Sequence, residues 1–202
     1  MPRTARQRGT DLALIAGFAT VIAVCALLPS ITIAGPVPIT LQTFGVLLTG
    51  AVLGARRGFL AVLLYLVVGA AGLPIFAKGA AGLGVFAGPT VGYLVAFPFA
   101  AALCGFLVER LPRRRIATSI PLIFLAGLAS SALLIHTLGI AGMALRIPLS
   151  PGEAFLADLP FWPGDVVKNL AMALVATTVH RAFPDLLPPR RPLLSAWGAP
   201  RA

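Results

Sequence analysis

The sequence predicts an all-α integral membrane protein: a compact bundle of six transmembrane helices with lid loops on its outer face. Three observations lead there. Apolar residues make up 58% of the 202-residue chain and charged residues only 11%, with mean hydropathy +0.96; soluble domains carry about 25% charge. Apolar runs recur at roughly 12–28, 39–55, 58–76, 88–108, 116–138 and 162–182, each close to the ~20 residues that cross a hydrocarbon core. The basic residues also alternate between loops. Arg3, Arg6 and Arg8 precede the first run, and Arg56 and Arg57 divide the second from the third. Arg110, Arg113, Arg114 and Arg115 divide the fourth from the fifth, and Arg181, Arg190, Arg191 and Arg201 follow the sixth. That is 13 of the 16 Lys and Arg, leaving only Lys78, Arg146 and Lys168 elsewhere. By the positive-inside rule both termini are cytoplasmic.

Each element follows from its residues. The stretch from Leu12 to Leu28 exceeds the ~7–15 apolar residues of a signal peptide and is read as a retained first span. Ser30 to Pro38 has alternating β-branched residues and then turn residues, which predicts a short hairpin. Leu73 to Phe86 is rich in glycine yet apolar. Irregular backbone of that kind is tolerated at membrane depth only where protein buries it or it lines a cavity. Both segments are therefore expected to be lids over an outward-facing pocket. The fifth run continues to Leu145, so a short extra helix or re-entrant piece is expected after it. Residues 1–182 form one membrane domain, and 183–202 a basic, proline-rich cytoplasmic tail lying near anionic lipid headgroups. Cys25 and Cys104 lie in apolar runs without CxxC spacing, which argues for packing and against a disulfide or metal framework.

The polar residues are few. Net charge is +10, but the arginines sit in loops without aromatic interleaving, which argues against nucleic acid. Metalloprotease, serine-hydrolase and P-loop signatures are absent, so no enzyme is predicted. Asp165 and Lys168 stand three apart, on one helical face after Pro163, with Asn169 beside them. They are read as the fully charged side chains well inside an apolar run, and such residues are functional hypotheses by default. The alternating topology brings Gln42, Thr43, Tyr93, His136, Asp165, Lys168 and Asn169 into the outer half of the membrane. Each has a structural alternative. Tyr93 suits an interfacial anchor, Gln42 suits helix–helix glue, His136 a hydrogen bond within the bundle, and Asp165–Lys168 a structural ion pair.

At these residues the chain resembles the BioY family, the biotin-specific substrate-capture (S) components of energy-coupling-factor transporters. The matching stretches are Pro38-Ile39-Thr40-Leu41-Gln42-Thr43-Phe44, Gly50-Ala51-Val52-Leu53-Gly54, Gly72-Leu73-Pro74-Ile75-Phe76, Gly88-Pro89-Thr90-Val91-Gly92-Tyr93-Leu94 and Pro163-Gly164-Asp165-Val166-Val167-Lys168. The resemblance implies the S-component fold in a bacterial inner membrane, with lids before the second and fourth spans. It implies biotin as the transported ligand, with no cofactor, and Asp165 and Lys168 as ligand contacts. Gln42, Tyr93 and Asn169 complete the expected polar set, and Phe44, Phe76, Phe86 and Trp162 the apolar walls. Lys78 stands in the lid where a small or uncharged residue is expected. The implied partners are a transmembrane coupling subunit and ATPase subunits, docked through small residues of the first span: Ala13 with Gly17, Ala16 with Thr20, or Ala19 with Ala23. A homo-oligomer is a further possibility. The rival readings are an S component for a different vitamin, or a proton-coupled secondary transporter with Asp165 and His136 as its relay.

Overall fold

The structure, a computed structural model, describes residues 5–31, 37–112, 116 and 119–187. It is all-helical among them, with a single isolated β-bridge. Helix α1 is Ala5–Leu27, α2 Gln42–Leu53, α3 Ala55–Ala70 and α4 Val91–Arg110. Helix α5 runs through Ile120–Arg146. The short α6 is Pro151–Asp158, and α7 is Phe161–Ala182. Gln7–Leu27, Val91–Arg110 and Ile120–Arg146 are long and apolar enough to cross a membrane. The helices alternate in direction. One end of the bundle carries Arg56, Arg57, Arg110 and Arg181; the other carries Lys78, Arg146 and Glu153. These are called the arginine end and the lid end.

Several expected spans change their limits, for visible reasons. The second is expected at 39–55, but α2 has only 12 residues, because the chain through Pro38 and Thr40 stays extended or turned and Gly54 ends the helix at φ 83°. The third is expected at 58–76, but α3 stops at Ala70; Gly72 at φ 113° and Pro74 then break the helix. The fifth does not pause near 138. It continues to Arg146 through one π-helical stretch, Ser131–His136. The extra helix comes later, as α6. It opens on a capping box: Ser150 Oγ accepts from the Glu153 N–H at 3.3 Å, and Glu153 Oε2 accepts from the Ser150 N–H at 2.8 Å. The Ser150 hydroxyl and N–H hold the Glu153 carboxyl below the usual range.

At the arginine end glycines let backbones touch. A Cβ on Gly50 would overlap the Ala101 backbone, and one on Gly105 would overlap Gly54 and Ala55. Small residues permit this approach between membrane helices. Nearby, Glu109 Oε1 accepts from the Ala55 N–H at 3.0 Å and so occupies an otherwise orphaned donor at the start of α3. Arg57 ties three segments together, with Nε 2.9 Å from Asp11 and Nη1 donating to the Leu186 carbonyl at 2.7 Å. Beyond α7 the chain folds back to bury Leu187; the rest of the expected tail, 188–202, lies outside the described residues, as do Arg3 and Arg113 to Arg115. Cys25 and Cys104 are buried free thiols.

Gly50→Val must push α2 off the Ala101 backbone, and overpacking of this kind costs about 1–3 kcal/mol. Gly17→Val on α1 meets nothing within 4 Å. Thermal melting in detergent should fall clearly for the first variant and stay at the parent value for the second.

Candidate ligand-binding site

Helix α7 positions the charged pair. Pro163 occupies its first turn, where a missing N–H is not needed. Asp165 and Lys168 stand three apart, and Lys168 Nζ donates to Asp165 Oδ1 at 2.8 Å. Thr43, on α2, completes a triangle: its hydroxyl donates to Asp165 Oδ1 at 3.2 Å and accepts from Lys168 Nζ at 3.2 Å. The second carboxylate oxygen, Oδ2, lies 3.3 Å from His136 Nε2 of α5. Asp165 is only 3% exposed, so these partners replace water around its charge.

The pair forms one wall of a cavity of about 310 Å³ at the lid end. Its other walls come from the two lids and from α2, α4, α5 and α7. Val37, Pro38 and Thr40 of the first lid face it, with Gln42 and Thr43 of α2. The second lid adds Phe76, Lys78, Ala80 and Val85; α4 adds Tyr93, Leu94 and Phe97; α5 adds Ile135, and α7 adds Phe161. Most of this surface is apolar, with a few convergent polar groups, as small-molecule sites are built.

Both lids are anchored. Ile31 and Ile39 exchange two backbone hydrogen bonds of 2.9 Å; the tip of the expected hairpin, 32–36, lies outside the described residues. In the second lid Phe76 is fully buried. Its ring sits where Gly69 has no side chain, and meets Tyr65 and Phe86 edge-on at 5.5 Å and 5.8 Å. Tyr65 also donates to the Ile75 carbonyl at 3.2 Å and accepts from Gln42 Nε2 at 2.8 Å. Gln42 thus links the cavity to the lid anchor. Lys78 turns the lid with φ 59°, the sole positive φ on a non-glycine among the described residues. That conformation costs a side-chain-bearing residue of order 1 kcal/mol.

The other expected site residues fall differently. Phe44 follows Thr43 by about 100° of helix rotation and packs half-buried against the core, off the cavity wall. Trp162 likewise gives its wall position to Phe161. Phe86 supports Phe76 from behind. Asn169 lies deeper: its amide nitrogen donates to the Asp165 carbonyl at 2.8 Å, and its Oδ1 is buried beside Gly127 without a hydrogen-bond partner. Tyr93 is no interfacial anchor. It is buried, its ring fills the space at Gly139, and its hydroxyl donates to Asp158 Oδ1 at 2.6 Å.

Asp158 is the residue the sequence reading missed. It has 0% exposure, and its Oδ2 meets His136 Nδ1 at 2.8 Å and accepts from Trp162 Nε1 at 2.9 Å. The signal was available: an acidic residue between Ala157 and Leu159, in a stretch as apolar as that around Asp165. A short helix or re-entrant piece is expected after Leu145, but Asp158 is not among the expected polar set. Among the described residues, no group of three or more His, Cys, Asp or Glu is placed to hold a metal ion.

Comparison with known proteins agrees with this architecture. The chain is 41% identical to the biotin transporter BioY of Rhizobium etli over 89% of this chain and 97% of that protein. It is 40% identical to the biotin transporter BioY of Rhodobacter capsulatus, over 88% and 96%. A crystal structure of the S-component for biotin from an ECF-type ABC transporter superposes with a TM-score of 0.81, at 26% identity, covering 89% of this chain and 95% of that one. The fold is therefore that of an S component, in a membrane protein that is a transporter subunit and not an enzyme. The sequence profile of the BioY family matches residues 2–185, and the chain belongs to that family.

Proposed function

We propose that this chain is a biotin-capturing membrane subunit that delivers its ligand with the help of an ATP-hydrolysing energy-coupling module. The observation that carries the reading is the Asp165–Lys168–Thr43 triangle on the wall of an otherwise apolar, lidded cavity. A cyclic urea presents two N–H donors beside one carbonyl acceptor. Asp165 accepts from the donors, and Lys168 donates to the carbonyl. The pair arrives neutral and satisfied, so binding exchanges one set of matched partners for another and leaves no polar group bare. The apolar ring and chain of biotin lie along Phe76, Leu94, Phe97 and Phe161. Lys78, across the cavity in the lid, is placed to attract the carboxylate at the end of that chain. Of the expected polar set, Gln42 and Tyr93 stand on the wall; Asn169 supports the backbone of Asp165 instead.

The relatives' names favour biotin over another vitamin. The proton-relay alternative meets a physical obstacle. The row Asp165, His136, Asp158 ends at a wholly buried carboxylate held by the lid-end helix α6, so it leads along the membrane face and not across it. The charge asymmetry of the loops supports placing the arginine end in the cytoplasm and the cavity outside.

Docking to a coupling subunit falls to the outward face of α1. Ala13, Ala16, Gly17 and Thr20 are exposed there. Ala19 is buried, and Ala23 packs half-buried against the core, so that pair faces the bundle. This leaves Ala13 with Gly17 and Ala16 with Thr20 as the small-residue surface.

Two outcomes test the reading. Hydrogen bonds to charged groups contribute roughly 1.5–3 kcal/mol, so Asp165→Asn and Lys168→Met should each weaken biotin binding by about tenfold to a hundredfold in titration calorimetry. Parent-like affinity in both would remove the site. Separately, Ala16→Trp should abolish co-purification with the coupling module while leaving biotin affinity at the parent value. Unchanged co-purification would move the docking face elsewhere.

A further inference from the structure

Asp158 lines no part of the cavity, yet its three hydrogen-bond donors come from three different helices. Tyr93 belongs to α4, His136 to α5 and Trp162 to α7. A carboxylate without solvent needs such partners to exist at all. Their direction matters more than their number. The donor from α5 continues to the site, because His136 presents its other nitrogen to Asp165 Oδ2 at 3.3 Å.

We infer that Asp158 is a positioning residue for ligand capture, holding the Asp165 carboxylate in its binding orientation through His136. The inference rests on the reading of Asp165 as a ligand group. Lys168 and Thr43 both engage Oδ1 of Asp165. With only that oxygen held, the carboxylate plane is free to swing, and a ligand must then order it at a cost in affinity. His136 restrains the second oxygen, but only while its own ring is fixed. Two contacts fix it, and both run through Asp158. The carboxylate takes Nδ1 at 2.8 Å. Trp162 stacks on the imidazole at 4.5 Å and 18°, and its indole N–H is tied to the same carboxylate at 2.9 Å. The π-helical stretch Ser131–His136 ends on this histidine. Such departures re-aim side chains at functional sites.

The test is a pair of double-variant cycles read by biotin titration calorimetry, with melting curves as the folding control. Asp158→Ala should lower affinity by about tenfold or more, with a melting transition still present. Asp158→Asn should recover most of it, since its oxygen can face His136 and Trp162 while its amide faces the Tyr93 hydroxyl. In the Asp165→Asn and His136→Gln backgrounds, Asp158→Ala should change affinity by less than about twofold, because the route to the ligand is already cut. A purely structural role predicts a lower melting temperature with affinity unchanged, or the same factor lost in every background; either result overturns the inference. Should Asp158→Ala show no transition, His136→Gln alone reads the same row while Tyr93 and Trp162 keep α6 in place, and parent-like affinity there overturns it. If Asp165→Asn itself binds like the parent, the ligand site fails first and this inference with it.

Discussion

The structure depends on keeping two opposite charges in a place where water is scarce. Lys168 and Asp165 meet at 2.8 Å, and each is mostly buried. Isolated, either would cost at least ~2.5–3.5 kcal/mol at membrane depth. Together they are affordable only with every remaining bonding position met, since desolvation can exceed the attraction between buried charges. That requirement reaches outward. Thr43 must come from α2, His136 from α5, and the carboxylate of Asp158 must reach from α6 to hold the histidine. Two of the helices that line the cavity, α2 and α5, supply partners to this pair.

The two ends of the bundle solve different problems. At the arginine end Gly50, Gly54 and Gly105 bring α2, α3 and α4 into backbone contact, with no room for a ligand. At the lid end α4 meets the α5 backbone at Gly92, while its Tyr93 and Phe97 line the cavity. The lid reuses the close-packing device once: Phe76 drops into the space that Gly69 leaves, which fixes the glycine-rich loop without regular structure.

Much of this was legible in the sequence. Hydropathy and the arginine pattern give the number and direction of the long helices, because a bilayer imposes length and charge asymmetry on the chain directly. The i, i+3 spacing of Asp165 and Lys168 gives their shared face, since helical geometry is regular. What was not legible depends on rotation and depth. Phe44 and Phe161 are equally good wall candidates by residue type; only the turn of α2 against α7 assigns the wall to one and not the other. Ala19 and Ala16 look alike in a small-residue pattern, yet one is buried and the other exposed. Asp158 escaped because it lies on a short helix beyond the fifth span. Its partners stand 65, 22 and 4 residues away in sequence, and no local pattern announces such an association.

The charged pair either holds the ligand or merely holds the fold. Replacing both partners by apolar residues of similar shape separates these roles, because a structural pair so replaced is often tolerated or even stabilising. The decisive measurement is biotin titration calorimetry on the purified double variant Asp165→Leu with Lys168→Met, beside its melting curve. A ligand-holding pair gives a cooperative melting transition and no detectable biotin binding. A folded double variant with near-parent affinity for biotin would contradict it.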